Sequence, residues 1–237
     1  MTRADDRPNC WWAVLFALVF PTLVTVVYFI LLDGRSPAIQ QGAYASGKFI
    51  QFLFPVIWIA SIQRSQIGWN RPQRNDLVWG CGLGLGLLTA MLALYYFGLK
   101  PAGALTVAAQ AVRQKVVGIG VGSVRDYIVL SVFYALIHSL LEEYYWRWFV
   151  FGRLRHLTSL PWAIGISSVG FMAHHVCIVS VYFGWFSLGR IVLSLAVAAG
   201  GALWAWLYQR TGSLFGPWIS HALVDAAIFI VGYDLVM

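Results

Sequence analysis

The sequence has few charged residues. Asp, Glu, Lys and Arg together make up 11% of its 237 residues, whereas about a quarter of an ordinary soluble domain is charged. Hydrophobic residues make up 60%, and the mean hydropathy is +0.73. So little polar surface excludes a water-soluble globule of this length and favours a protein whose outer surface faces lipid.

Cysteines and acidic residues are also scarce. The three cysteines, Cys10, Cys81 and Cys177, are far apart and form no CxxC pair, which argues against a disulfide framework and a thiolate metal site. Nine acidic residues stand against 16 Lys and Arg, giving a net charge of +7. The cations lie mostly in short connections between apolar runs and form no continuous basic face. We therefore expect the lipid bilayer, and no nucleic acid, as a partner.

Seven apolar stretches dominate what remains, each close to the roughly 20 residues that a membrane-spanning helix needs. They cover residues 11–32, 45–62, 77–98, 127–150, 160–183, 187–208 and 214–235. Backbone polar groups in hydrocarbon must be satisfied within the segment, so long apolar runs predict helices. The sequence therefore predicts an all-α, polytopic transmembrane helical bundle, located as a multi-pass protein in a membrane, the inner membrane if the source is bacterial.

Two segments between or within these runs carry further structural information. Residues 101–123 mix Val and Ala with Gln, Arg and Lys, which favours an interfacial helix or a re-entrant segment over an eighth span. Glycines recur at every second position from Gly80 to Gly86 and offer a small-residue face for close helix packing.

Ionisable residues inside apolar runs are few, and all the acidic ones fall in the C-terminal half. A carboxylate at the centre of a bilayer costs about 2.5–3.5 kcal/mol on insertion scales, so such residues usually have a function. Glu142 and Glu143 are followed by Arg147, and a helix would place Glu143 and Arg147 on one face in the order that favours an ion pair. The alternative is a structural charge cluster near the membrane surface.

Two further pairs that each contain a histidine lie in later apolar runs. Phe171 and His175 share one helix face, whereas His174 is turned by about 100° and is expected to satisfy a local carbonyl. His221 and Asp225 are four residues apart and project from one face of the last run. Each pair alone is a weak signal, but three such faces on three apolar helices indicate a polar site inside the bilayer. The sequence assigns no role to His138.

These motifs resemble those of a known family. EExxxR at Glu142, FxxxH at Phe171 and HxxxD at His221 occur in order on separate apolar helices, as in the CAAX protease and bacteriocin-processing family (also called Abi), which includes the type II CAAX prenyl endopeptidases. The resemblance covers roughly residues 125–232. It implies an N-terminal region of generic membrane helices over 1–123 and a catalytic core of helices over 124–237.

The resemblance implies an intramembrane endopeptidase and assigns roles by position. Glu142 and His175 would activate the attacking water, and His221 and Asp225 would stabilise the oxyanion. An ionised Asp cannot donate a hydrogen bond, so Asp225 would have to be protonated or orient His221. The supporting residues would be Glu143, Arg147 and Phe171.

The family resemblance leaves metal dependence open between two chemistries. A metal-free mechanism with no cofactor is favoured, and the alternative is a metalloprotease site in which Glu142, His175 and His221 hold zinc. Other protease types are not supported, since the chain has no HExxH motif, no GxGD element and no serine nucleophile beside a base.

Two other functions compete with an endopeptidase. Intramembrane Glu, His and Asp also build proton relays in transporters, although the two halves of the chain show no inverted repeat. A non-catalytic member of the same fold could bind a partner, as an immunity protein does. The expected substrate of an enzyme is a membrane-associated peptide or protein, either CAAX-like or of another kind.

Overall fold

The computed structural model describes residues 7–63 and 70–237, and these ranges are almost entirely helical with no strand. In chain order the helices are α1 (Cys10–Leu31, with a helical lead from Arg7), α2 (Pro37–Gln63), α3 (Arg74–Leu99), α4 (Thr106–Gly118), α5 (Val124–Leu157), α6 (Leu160–Phe183), α7 (Leu188–Thr211) and α8 (Phe215–Val236). Within the described ranges, seven of these helices, all except α4, are long and apolar enough to cross a membrane. The predicted all-α polytopic bundle is confirmed.

The predicted spans agree with the helices except at two ends. α2 begins at Pro37, eight residues before the predicted start, because the polar residues Gln40 and Gln41 concealed its first turns. Proline suits the first turn of a helix, where its missing N–H has no partner to lose. α5 continues to Leu157 rather than 150, through the basic residues Arg153 and Arg155.

The segment 101–123 contains α4, whose 13 residues span about 20 Å, less than the roughly 30 Å of a hydrocarbon core. It is therefore not an eighth span. Arg113 Nε donates to the carbonyl of Val236 at 2.9 Å, which fastens α4 to the end of α8. The interfacial or re-entrant placement of α4 stays a prediction.

The chain folds as two compact units. One comprises the described residues of Met1–Asn70 with Tyr144–Gln209, and the other comprises Arg71–Glu143 with Arg210–Met237. We call the unit that contains Tyr144–Gln209 the outer-segment unit and the unit that contains Arg71–Glu143 the middle-segment unit. The predicted division at 123/124, between N-terminal membrane helices and a catalytic core, stays a prediction.

In the outer-segment unit, α1 and α2 run antiparallel. The rings of Tyr28 and Tyr44 lie 4.6 Å apart, and those of Phe16 and Phe54 lie 4.4 Å apart. Between these pairs, Gly47 allows close approach, since an added Cβ would lie 2.8 Å from the Val24 side chain.

Pro21 interrupts the hydrogen bonds of α1. Proline lacks an N–H, so the carbonyl of Ala17, four residues earlier, loses its partner within the helix. The buried hydroxyl of Tyr145 donates to this carbonyl at 2.9 Å. The bond satisfies the acceptor and fixes α1 to the part of α5 that follows the two glutamates.

In the middle-segment unit, α3 and α8 pack with their backbones close together. A Cβ added at Gly80 would lie 2.6 Å from the carbonyl oxygen of Gly216, and one at Gly84 would lie 2.9 Å from Ser220 Cα. By contrast, Gly82 and Gly86 have no atom within 4 Å of such a Cβ. The predicted small-residue face is therefore the face of Gly80 and Gly84.

π-Helical segments, with i→i+5 hydrogen bonds, occur within four of the spans. They comprise Val27–Leu31, Trp58–Gln63, Tyr95–Leu99, Phe133–His138 and Tyr144–Phe151. The last two lie in α5 and flank the short α-helical stretch Ser139–Glu143. Because π-helical turns are frequent at functional sites, their position on both sides of the glutamates indicates a functional site there.

Candidate active site

Glu142 and Glu143 end the α-helical stretch of α5, and both carboxylates are buried. The π-helical segment Phe133–His138 precedes this stretch. Two hydrogen bonds hold α8 antiparallel against the part of α5 that precedes the glutamates: Tyr127 Oη donates to the carbonyl of Phe229, and Trp218 Nε1 donates to that of Leu136, both at 2.9 Å. They place the first turns of α8 beside the glutamates.

His221 projects from α8 between three carboxylates. Its Nδ1 lies 2.9 Å from Glu143 Oε1, a hydrogen bond between two buried side chains. Its Nε2 lies 3.8 Å from Glu142 Oε2 and 3.7 Å from Asp225 Oδ1. With Glu143 ionised, Nδ1–H donates to it, so that Nε2 is the ring atom directed at Glu142 and Asp225. We call Glu142, Glu143, His221 and Asp225 the carboxylate–imidazole cluster.

His138 adds a second imidazole beside this cluster. It lies one helical turn before Glu142, with Nε2 3.9 Å from Glu142 Oε1, and its ring packs on Tyr134 with the centroids 4.8 Å apart.

In the outer-segment unit, the two histidines of α6 have different surroundings. His175 Nδ1 lies 2.9 Å from the carbonyl oxygen of Phe171. A carbonyl only accepts, so Nδ1 carries the proton, and the neutral ring offers the lone pair of Nε2. His174 is buried and stacks on the indole of Trp146, with ring planes 3° apart.

The predicted supporting residues Arg147 and Phe171 contact each other. The guanidinium carbon of Arg147 lies 5.0 Å from the ring centroid of Phe171 and 5.6 Å from that of Trp204. Arg147 is fully buried, and stacking on two aromatic faces suits a desolvated guanidinium. The Glu143–Arg147 pair stays a prediction.

The structure thus brings the predicted site residues together in two sets. One set is Glu142, His221 and Asp225, and the other is Phe171, His175 and Arg147. The roles assigned to them stay predictions. Sequence reasoning missed the bond from Glu143 to His221, because contacts between helices leave no mark in local spacing. The contact of His138 with Glu142 could have been predicted from the sequence, because four residues separate them on a single helix.

The donor atoms of these sets suit a metal ion. An imidazole that binds a metal through one ring nitrogen usually donates the N–H of its other nitrogen to a carboxylate or carbonyl. In both His221 and His175, Nδ1 makes a contact of this kind. Carboxylate oxygen and imidazole nitrogen are zinc ligands. Each set therefore offers donor atoms that could bind a metal.

Comparison with known protein families finds a match in the motif-bearing part of the chain. A family model described as "Rce1-like: Type II CAAX prenyl endopeptidase Rce1-like" matches residues 124–227, which contain all three motifs. The predicted resemblance is confirmed, and the match supports a CAAX-type intramembrane endopeptidase as the general class. Neither the curated proteins nor the solved structures include a match to the chain.

Proposed function

We propose that this chain, with its Rce1-like region at 124–227, hydrolyses a peptide bond of a membrane-associated substrate, either CAAX-like or of another kind. The observation that carries the proposal is the carboxylate–imidazole cluster, in which His221 lies 2.9 Å from Glu143 and within 4 Å of Glu142 and Asp225. Burying a cluster of this kind inside membrane spans costs free energy, so its presence indicates a function.

In the proposed reaction, the Glu142 carboxylate takes a proton from water, and the resulting hydroxide attacks the peptide carbonyl. The lone pair of His175 Nε2 assists by accepting a hydrogen bond from the same water. The C–N bond then breaks, and the proton held by Glu142 passes to the leaving amine. General acid–base catalysis of this kind contributes roughly 10²–10⁴-fold.

His221 and Asp225 are proposed to stabilise the oxyanion that forms on the peptide carbonyl. Because Nδ1–H of His221 is directed to Glu143, Nε2 donates to an oxyanion only when the ring is an imidazolium. Glu143 favours that cation by its negative charge. Asp225, 3.7 Å from Nε2, acts either through His221 or as a protonated donor. Removing one oxyanion donor costs about 10²–10³-fold in kcat.

If the enzyme depends on zinc, Glu142, His175 and His221 are the proposed ligands, and the ion would supply Lewis acidity and an acidic bound water. Glu143 and the Phe171 carbonyl would then keep the two imidazoles in the tautomer that binds metal through Nε2. The metal-free route is preferred because HxxxD pairs His221 with a second acid, as expected of an oxyanion site.

The test uses the full chain in proteoliposomes with a quenched fluorescent farnesylated CAAX peptide and a membrane-anchored peptide without the lipid. Wild type is expected to cleave at least one of them, and Glu142→Gln, His175→Ala and His221→Ala are expected to lose at least a hundredfold in kcat. Asp126→Asn, an exposed acid on α5, is the matched control and should cleave normally. Normal cleavage by Glu142→Gln refutes the assignment. Peptide binding by wild type without cleavage favours a non-catalytic binding protein.

A further inference from the structure

The short turn between α6 and α7 carries two exposed aromatic side chains. Trp185 and Phe186 lie in this turn, and almost the whole surface of Phe186 is exposed. A turn between two spans lies at a membrane–water interface, where tryptophan is enriched at the level of the lipid headgroups. The first residues of α7 therefore lie close to the lipid phosphates.

Arg190 lies in the first turn of α7, which begins at Leu188. Its backbone N–H donates to Ser187 Oγ at 3.0 Å, which fixes this turn of the helix. The side chain is half-buried, and its Nε is buried without a hydrogen-bond partner among the described residues. In the described part of the outer-segment unit the single acidic residue is Asp33, and it makes no ion pair with Arg190 there. A half-buried cation without an anion is unfavourable.

Ser194 provides a second, independent sign of a ligand. It lies four residues after Arg190, and side chains at this spacing share one helix face. Ser194 is 6% exposed, and its Oγ has no hydrogen-bond partner within the part of the chain that the structure describes. By contrast, the buried serines Ser139, Ser168 and Ser180 each donate to the carbonyl four residues earlier, at 2.5–2.7 Å. Because Ser194 makes no such bond, its buried hydroxyl is available as a donor to a ligand.

The two donors suit one phosphate group. Cβ atoms four residues apart on a helix are about 5–6 Å apart, and one oxygen atom at hydrogen-bond distance from two donors bridges about 6 Å. A guanidinium binds phosphate through two parallel N–H bonds. The N-terminal end of α7 also carries the positive end of the helix dipole, which favours an anion. Because these features lie at headgroup depth, a lipid phosphate reaches them without leaving the bilayer.

We propose that Arg190 and Ser194 bind the phosphate of an anionic lipid headgroup at the start of α7. The guanidinium donates to two phosphate oxygens, and the Ser194 hydroxyl donates to one of them. The site lies within the outer-segment unit, and its ligand takes no part in the proposed peptide hydrolysis. Free inorganic phosphate offers the same chemistry as the headgroup, and the experiment separates the two sources.

The experiment measures lipid binding to the full chain by native mass spectrometry in a neutral detergent. The protein is titrated with phosphatidylglycerol and with diacylglycerol of the same acyl chains, which lacks the phosphate. Wild type is expected to bind one phosphatidylglycerol roughly tenfold to a hundredfold more tightly than diacylglycerol, as for charge-assisted hydrogen bonds. Arg190→Gln should lose most of this preference, and Ser194→Ala should weaken it roughly threefold, as for one neutral donor.

Two variants serve as matched controls and should keep the preference for phosphatidylglycerol. Arg35→Gln removes an exposed arginine of the same unit, and Ser180→Ala removes a buried hydroxyl that already donates to the Val176 carbonyl. Equal affinity of wild type for the two lipids overturns the inference, and so do equal losses in Arg190→Gln and Arg35→Gln.

Two further measurements complete the test. An unchanged preference in Ser194→Ala overturns the two-donor site, and this variant decides the matter if Arg190→Gln does not fold. Added inorganic phosphate should leave the lipid bound. Displacement of phosphatidylglycerol by inorganic phosphate overturns the lipid assignment and identifies free phosphate as the ligand.

Discussion

The close crossing of α3 and α8 predicts that alanine at Gly80 or Gly84 destabilises the protein. Alanine at Gly80 would place a Cβ 2.6 Å from the carbonyl oxygen of Gly216, about 0.8 Å closer than an ordinary contact. Alanine at Gly84 would place one 2.9 Å from Ser220 Cα. Both obstacles are backbone atoms, which cannot rotate away, so the helices must separate.

The size of the effect follows from that separation. A gap of roughly 0.5–1 Å forfeits a quarter to a half of the dispersion energy of each contact across it, and overpacking of this kind typically costs about 1–3 kcal/mol. Since Ser220 precedes His221, Gly84→Ala should also displace the imidazole from Glu143 and lower kcat. Gly80→Ala acts one turn farther from the cluster and should affect stability more than activity.

The assay is equilibrium unfolding of the purified protein in mixed micelles, followed by tryptophan fluorescence, with peptide cleavage measured in parallel. Gly82→Ala and Gly86→Ala are matched controls on the same helix, because an added Cβ there meets no atom within 4 Å. They should leave stability unchanged or raise it slightly, since alanine favours helices more than glycine. Equal stability of all four variants would refute the close crossing of the two helices.

Three further predictions concern other contacts. Tyr145→Phe leaves the Ala17 carbonyl without the donor that compensates for Pro21, so unfolding in micelles should become easier by about 1–3 kcal/mol; unchanged stability would contradict the bond. Glu143→Gln keeps a hydrogen-bonding group beside His221 but removes the charge, so kcat should fall while peptide binding is preserved; a rise in KM at constant kcat would argue for a role in binding instead. Removal of metal by dialysis against a chelator should leave cleavage intact on the preferred route, and bound zinc measured by mass spectrometry that disappears in His221→Ala together with activity would establish the zinc route.

The sequence predicted the helical class, the seven spans, and the pairing of Phe171 with His175 and of His221 with Asp225 on one helix face, because these depend on local pattern. Apolar run length determines which segments cross a bilayer, and the HxxxD spacing places His221 and Asp225 on one face. The same reasoning failed at the start of α2, where Gln40 and Gln41 resemble a loop although Pro37 already begins the helix.

Contacts between helices were beyond the reach of the sequence. The carboxylate of Glu143 lies 2.9 Å from Nδ1 of His221, 78 residues later in the chain, and the sequence did not predict this contact. No local periodicity encodes that distance along the chain. The π-helical segment Tyr144–Phe151 also changes which residues share a face, and its sequence has no recognised signal.

The bond between Tyr145 and Ala17 has a consequence for biosynthesis. The two residues are 128 positions apart, and at about 5–20 residues per second the ribosome adds Tyr145 roughly 6–26 s after Ala17. During that interval the nascent first helix carries an open acceptor opposite Pro21. The first helix therefore acquires this hydrogen bond only after the motif-bearing half of the chain has been made. In a truncated nascent product that ends before residue 145, the Ala17 carbonyl should lack its donor.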